Sequence, residues 1–271
     1  MNAIVGVAGS KGFIGSHLCR LLDDRNIAYV SFTGNALREK DVTSFFKVQK
    51  PSVLIFLIGK FTNDRKEAFS VNVQTLQTML AIGTQYSLNK VIFSSSGAVY
   101  GNRTNRLSKE DDVLRPISAY GLSKKIAESV VEYYRGTCNI QSIILRFPNI
   151  YGKDSNKGVF YEFKQQTESG TITVNGSGKQ KRDFLEVHDA CEAIIRCITY
   201  DKSNIFNIAS AKSYSILELA KAFKSHRTSS LVFNTAIGSE DNLLLNTSEM
   251  RKNLGISFKD RIPQVLDELY T

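Results

Sequence analysis

Tyr120 and Lys124 stand four residues apart in Tyr120-Gly121-Leu122-Ser123-Lys124, a spacing that puts both side chains on one face if the segment is helical. An ammonium beside a phenol favours the phenolate, and brings a group that titrates near pH ~10 toward acid–base use near neutrality. Upstream, Phe93-Ser94-Ser95-Ser96-Gly97-Ala98-Val99-Tyr100-Gly101 ends an apolar run in three hydroxyls. A serine at the end of a strand there can hydrogen-bond a substrate oxygen that gains or loses a proton at the phenol. A single Y-x-x-x-K is by itself a common surface pair. The serine run before it, and a glycine turn earlier still, make the combination informative.

That turn is Gly9-Ser10-Lys11-Gly12-Phe13-Ile14-Gly15. Its glycines permit a tight bend, let the backbone approach a pyrophosphate and let the following helix pack closely, while the helix N-terminus offers unpaired N–H groups to the anion. A glycine triplet without a ligand would look the same in isolation. Its place, after the first apolar run and before the first helical pattern, is the context that a dinucleotide site requires.

The elements that must position these groups follow from periodicity. Apolar runs at 3–8, 28–32, 53–58, 91–94 and 140–147 alternate with segments of helical period, such as Ile14, Leu18, Leu21, Leu22 and Val71, Leu76, Met79, Leu80, Gly83. Such alternation predicts an α/β protein with a doubly wound parallel sheet of Rossmann type. Beyond Tyr151 the pattern changes to a Gly/Lys/Asn-rich loop, a short strand at 171–174, helical stretches near 188–200 and 215–225, and a charged helix ending at Leu269. The expected division is a dinucleotide-binding domain over 1–150, joined by part of 183–208, and a smaller α/β substrate-binding region over 151–271.

Composition narrows the function. The chain has 271 residues, 42% hydrophobic and 23% charged, which excludes disordered and fibrous classes. Its longest apolar stretch, Val53–Ile58, is too short for a bilayer, and no basic segment followed by an apolar run opens the chain, so no membrane or secretory role is expected. Cys19, Cys138, Cys191 and Cys197 make neither a metal knuckle nor a redox pair and read as buried thiols in a reducing cytoplasm. Three histidines without close spacing predict no metal site. A net charge of +9, from 35 Lys+Arg against 26 Asp+Glu, favours an anionic partner. The basic residues are spread along the chain, so a phosphorylated small molecule is expected rather than a nucleic acid.

The G-x-x-G-x-x-G spacing resembles the short-chain dehydrogenase/reductase superfamily, and Gly12-Phe13-Ile14-Gly15-Ser16-His17-Leu18 is similar to its extended branch, which acts on nucleotide sugars. The resemblance implies a catalytic set of Ser96, Tyr120 and Lys124. Ser96 is the third serine of the run and stands four residues before Tyr100, with Ser95 its nearest competitor. Dehydratases of this branch carry an Asp-Glu pair after that serine; here Gly97-Ala98 follows, and elimination would lack its acid and base. The resemblance also implies a cofactor held by Gly9, Gly12, Phe13, Ile14, Gly15, Asp41 and Val42, with Tyr120 and Lys124 beside it. By the same resemblance Asn72 is the structural asparagine of the helix beside the site. Asn149, in Leu145-Arg146-Phe147-Pro148-Asn149-Ile150-Tyr151-Gly152, and Arg182 are then substrate residues at the sugar diphosphate together with Ser96, and the chain is a homodimer.

Two departures from the family's pattern shape the expected activity. Where NAD-using members end the second strand with an acid, this chain has Thr33, so NADP(H) is favoured over NAD(H), with Arg38 or Lys40 available to a 2′-phosphate. Near 237–246 no second arginine for the diphosphate is found. The leading expectation is a 4-ketoreductase acting on an NDP-hexos-4-ulose. The alternative is an NAD-dependent nucleotide-sugar 4-epimerase, and a reading from another class is a non-catalytic dinucleotide-sensing or RNA-binding Rossmann protein.

Overall fold

The first half of the chain alternates strand and helix as its periodicity requires, in a computed structural model that describes residues 4–102, 106–235 and 241–270. Strands β1 (Val5–Ala8), β2 (Tyr29–Phe32), β3 (Val53–Phe56), β4 (Lys90–Ser96) and β5 (Gln141–Phe147) are separated by α1 (Phe13–Asp24), α2 (Glu39–Gln49), α3 (Arg65–Phe69), α4 (Thr75–Gly83) and α5 (Ala119–Cys138). A π-helical turn, Ser70–Gln74, joins α3 to α4. The second half adds β6 (Asn149–Tyr151), α6 (Val159–Glu168), β7 (Thr171–Asn175), β8 (Lys181–Glu186), α7 (Val187–Ile198) and β9 (Asn204–Asn207). It ends with β10 (Ser213–Ser215), α8 (Ile216–His226), β11 (Ser230–Asn234) and α9 (Ile262–Tyr270).

Six strands form one parallel sheet in the order β2-β1-β3-β4-β5-β9. Every residue of β1 and β3 is buried, because helices cover both faces of a doubly wound sheet and its central strands read as continuous apolar runs. On one face Leu18, Leu21 and Leu22 of α1 pack with Ala190 and Ile194 of α7. On the other, Val42 and Phe46 of α2, Leu76 and Leu80 of α4, and Ala127 and Val131 of α5 close a second core. The α/β, doubly wound expectation holds.

Strand order reverses between β1 and β3, and the crevice beyond the carboxyl ends of strands at such a point is where ligands enter open α/β sheets. Gly9 follows β1 there and Leu57 follows β3. A three-stranded sheet, β10-β8-β6, and a parallel pair, β11-β7, lie outside the main sheet. Tyr151, Phe160, Phe163, Phe184 and Phe223 form the aromatic centre of the core around them.

Local differences from the periodic reading have physical causes. Strand β4 runs on through Ser94, Ser95 and Ser96, each paired with β5; hydroxyl residues broke the apolar signal, but the ladder continues. β6 and β9 are three and four residues long, and their polar ends hide them. Cys191 and Cys197 are buried and Cys19 half-buried, whereas Cys138, at the end of α5, is exposed, which corrects the expectation for that thiol. Among the described residues no helix is long and apolar enough to cross a membrane. Residues 237–240 of the segment noted for its missing arginine lie outside the described residues.

Candidate active site

At the carboxyl ends of β1, β3, β4 and β5 lies a cavity of about 420 Å³, lined on one side by the glycine turn and on the other by Asn149, Lys157 and Phe184. Gly9 has φ +95°, and a Cβ on Gly15 would stand 2.1 Å from the Gly9 carbonyl oxygen, so this close crossing of strand and helix admits no side chain. The Gly12 N–H donates to Gly9 O at 3.0 Å. Helix α1 begins after Gly12 with no side-chain cap and no acid in its first turn. Its first amides and the positive end of its dipole are therefore available to an anion. Gly9, Gly12, Phe13, Ile14 and Gly15 all line the cavity.

Helix α5 starts where Ser118 caps it, the Ser118 hydroxyl accepting from the Gly121 N–H at 3.0 Å. This start places Tyr120 in the first turn and Lys124 one turn later, both at the cavity wall. The Lys124 ammonium donates to the Ser94 carbonyl at 2.8 Å and stands 5.0 Å from the centroid of the Phe93 ring. Tyr120 is half-buried, its ring edge-on to Phe61 at 5.1 Å, and its hydroxyl faces the Ser96 side chain. Ser96 Oγ also accepts from the Ala98 N–H at 3.2 Å. The competing Ser95 hydroxyl is turned into the protein, where it donates to Glu128 Oε1 at 2.5 Å.

The electrostatics differ from the expectation for the phenol. Burial pushes the Tyr120 hydroxyl above its ordinary value, opposed by the Ser96 hydrogen bond. The reason is directional: the ammonium points at the Ser94 carbonyl and stands 6.0 Å from the Tyr120 ring centroid. Burial pushes Lys124 down to about 8, and Lys157 adds to that while Glu128 opposes it. The phenol thus holds its proton near neutrality.

Asn72 fixes this arrangement from below. Fully buried in the π-turn, it donates through Nδ2 to Ser123 Oγ at 2.8 Å and to the Lys60 carbonyl at 3.1 Å, and its Oδ1 accepts from the Lys60 N–H at 2.7 Å. The loop after β3 is thereby tied to α5. In that loop a Cβ on Gly59 would stand 3.1 Å from the Lys124 nitrogen, so glycine keeps the ammonium in place.

The other residues singled out from sequence fall into two groups. Asn149 lines the cavity and donates to the Asp183 carbonyl at 3.4 Å. Arg182 is not among the lining residues: its guanidinium donates to the Lys181 carbonyl at 2.9 Å and to that of Asp241. It shares a face of β8 with Phe184, two residues on, which lines the cavity. Thr33, Arg38, Asp41 and Val42 are not among the lining residues. Thr33 is exposed just beyond β2 and Arg38 is exposed at the N-cap of α2. Asp41 accepts from the Asn35 N–H at 2.9 Å, while Val42 is fully buried in the core.

Sequence reasoning missed Lys157 and Phe61. Lys157 lines the cavity and precedes Gly158, the N-cap of α6; as one cation in a Gly/Lys/Asn-rich loop it carried no spacing signal. Phe61 had no signal, since its loop is brought beside α5 by the fold.

Residues 5–209 match the model of the NAD dependent epimerase/dehydratase family. An uncharacterised UDP-glucose epimerase of Bacillus subtilis is 28% identical over 272 residues, 86% of each chain. A dTDP-4-dehydro-6-deoxyglucose reductase of Escherichia coli is 30% identical over 175 residues, 61% of this chain and 55% of the other. The fold is also that of a UDP-glucuronic acid 4-epimerase from Bacillus cereus, solved with UDP-glucuronic acid and NAD, at a TM-score of 0.88, 22% identity and 98% coverage of both chains. With three-quarters of its length matched, the chain belongs to the NAD dependent epimerase/dehydratase family and is an enzyme of the extended short-chain dehydrogenase/reductase type.

Proposed function

We propose that the protein is a nucleotide-sugar 4-epimerase that works through Ser96, Tyr120 and Lys124 with NAD as its cofactor. The observation that carries the reading is the convergence, in one cavity, of the uncapped start of α1, the Ser96/Tyr120 hydroxyl pair and Asn149. The relatives named as epimerases support it. The cradle fits a dinucleotide, because its glycines leave no room for a Cβ and its helix amides lack a capping side chain. When bound, the nicotinamide supplies an acceptor for hydride from the sugar's C4 and later a donor of that hydride to the opposite face. Ser96 holds the O4 hydroxyl, and Tyr120 takes its proton and returns it after the keto sugar has turned over. Lys124 favours the phenolate that must exist before that proton is taken; while the keto sugar turns, Tyr120 is the neutral phenol that holds it. With Gly97-Ala98 after Ser96, no carboxyl pair is present to expel a neighbouring hydroxyl.

On this reading, residues 1–150 with part of 183–208 hold the cofactor and the remainder holds the sugar nucleotide. Arg182 reaches the diphosphate by turning from the Asp241 carbonyl. Arg182→Ala then weakens sugar-nucleotide affinity by about 1.5–3 kcal/mol, the range for hydrogen bonds to charged groups. Cofactor titration of the same variant should be unchanged; loss of cofactor affinity with normal sugar-nucleotide binding would contradict the assignment. A second copy of the chain would cover Phe69, Leu122 and Tyr133, exposed on α3 and α5, and sedimentation reads the resulting homodimer.

A second reading, an NADPH-dependent 4-ketoreductase, is favoured by Thr33: no carboxylate stands there to repel a 2′-phosphate, and Arg38 is exposed nearby. Thr33→Asp should lower NADPH affinity several-fold relative to NADH by introducing repulsion and a ribose acceptor. Titrating both cofactors against both proteins reads this ratio, and an unchanged ratio removes Thr33 from cofactor choice. Incubation with 4-hydroxy sugar nucleotides without added cofactor, and with 4-keto sugar nucleotides plus NADPH, separates the two activities. The epimerase reading expects C4 epimers in the first tube; product in the second tube alone moves the assignment to the reductase.

A further inference from the structure

Helix α5 and the end of β4 are joined at three successive levels. The Ser96 hydroxyl meets Tyr120, the Ser94 carbonyl accepts from Lys124 at 2.8 Å, and the Ser95 hydroxyl donates to Glu128 at 2.5 Å. Tyr120, Lys124 and Glu128 are spaced by four and share one helix face. Glu128 is 4% exposed and Arg146, on β5, 2% exposed. Arg146 grips the carboxylate with two parallel bonds, Nε to Oε1 at 3.0 Å and Nη2 to Oε2 at 2.8 Å. Its Nη1 donates to the Tyr100 hydroxyl at 2.7 Å and to the Glu110 carbonyl at 2.9 Å, and the Tyr100 hydroxyl donates to Asn207 Oδ1 at 2.7 Å.

Stability alone gives a weak reason for this construction. Well-packed hydrophobic residues of the same volume commonly equal or exceed a buried ion pair. Position gives a stronger one. The network lies one helical turn beyond Lys124, a cation that is 3% exposed. Glu128 is the carboxylate that favours its charged form, and Lys157, from the loop before α6, opposes it. Arg146 faces Glu128 from β5 and Glu110 stands on the far side of Arg146. Tyr120, on the same helix, is raised by burial and carries no charge near neutrality.

We infer that Glu128 is a positioning residue for the reaction: anchored by Arg146 and bound to Ser95, it fixes the strand end whose Ser94 carbonyl receives the Lys124 ammonium, one helical turn away, beside Ser96 and Tyr120. The inference rests on the proposed role of Lys124, and its test reads cofactor binding as well as turnover. Glu128→Gln keeps the side chain's shape and an acceptor for Arg146 but removes the charge. NAD titrations across pH should show binding that weakens as Lys124 loses its proton, with a midpoint near the value of about 8 set by its surroundings. In Glu128→Gln this midpoint moves down by roughly one pH unit, the effect of losing one close opposite charge. kcat falls at pH values above the new midpoint, while KM for the sugar nucleotide is retained.

Glu128→Asp, which restores the charge, returns the midpoint toward the wild type. General damage would weaken binding at every pH without moving the midpoint, and that result overturns the inference. Ser95→Ala leaves both charges in place and removes one hydrogen bond, so it serves if Glu128→Gln does not fold. It should move the midpoint in the same direction by a smaller amount, and an unmoved midpoint overturns the inference. Should the wild type bind NAD with this midpoint and Glu128→Gln shift it while no epimerisation occurs, the proposed reaction fails and the positioning role stands.

Discussion

Tyr120→Phe lowers turnover by roughly 10²-fold or more, the usual contribution of a positioned acid–base group, while cofactor binding is largely kept. The substitution removes one oxygen and leaves the ring that packs edge-on against Phe61, so the cavity wall stays in place. Ser96 keeps its bond from the Ala98 N–H. The expected kinetic signature is a fall in kcat with KM for the sugar nucleotide little changed, measured on the purified variant with the best nucleotide sugar found for the wild type. Near-normal turnover removes Tyr120 from the proposed mechanism.

Lys124→Met is the second large effect, and it should strike rate and cofactor affinity together. The aliphatic stem is replaced closely, so packing over Phe93 survives, but the donor to the Ser94 carbonyl and the charge beside the phenol are lost. Burial raises the Tyr120 hydroxyl, so a proton leaves it, or the substrate gives one to its anion, only where nearby positive charge compensates. The same logic gives the wild type a pH dependence. Lys124 is a cation below about 8 and neutral above it, so activity should fall as pH rises through that value. If Lys124→Met changes neither turnover nor cofactor titration, the ammonium has no part in either.

The glycine turn and the Tyr120/Lys124 pair were legible because each is a local spacing, interpretable within one turn of helix or one loop. The sheet was legible for the same reason: buried parallel strands such as β1 and β3 leave continuous apolar runs. What sequence could not give was direction. The Lys124 ammonium has two possible neighbours, the phenol and the Ser94 carbonyl, and the fold chose the carbonyl, so burial raises the phenol with no ammonium beside it to oppose the rise.

Nor could spacing show which side chains from distant segments would meet. Phe61 comes from the loop after β3, Lys157 from the loop before α6 and Arg146 from β5. Their sequence separations carry no period, and only the register of β4 with β5, Ser95 opposite Arg146, brings the last of them to Glu128. Ser95 illustrates the limit within a single motif. Three serines look interchangeable in sequence, yet the strand's alternation sends the middle one inward to a carboxylate and the last to the cavity.

The central claim, that one cavity removes and returns the hydrogen at C4 of a nucleotide sugar, is tested most directly with a substrate carrying deuterium at C4. Purified protein is incubated with the labelled sugar nucleotide and no added cofactor, and both epimers are read by NMR and mass spectrometry. The account predicts the opposite C4 epimer with the deuterium still at C4, since the same hydrogen is taken and given back within one site. No interconversion, together with stoichiometric consumption of NADPH when a 4-keto sugar nucleotide is supplied, would contradict it.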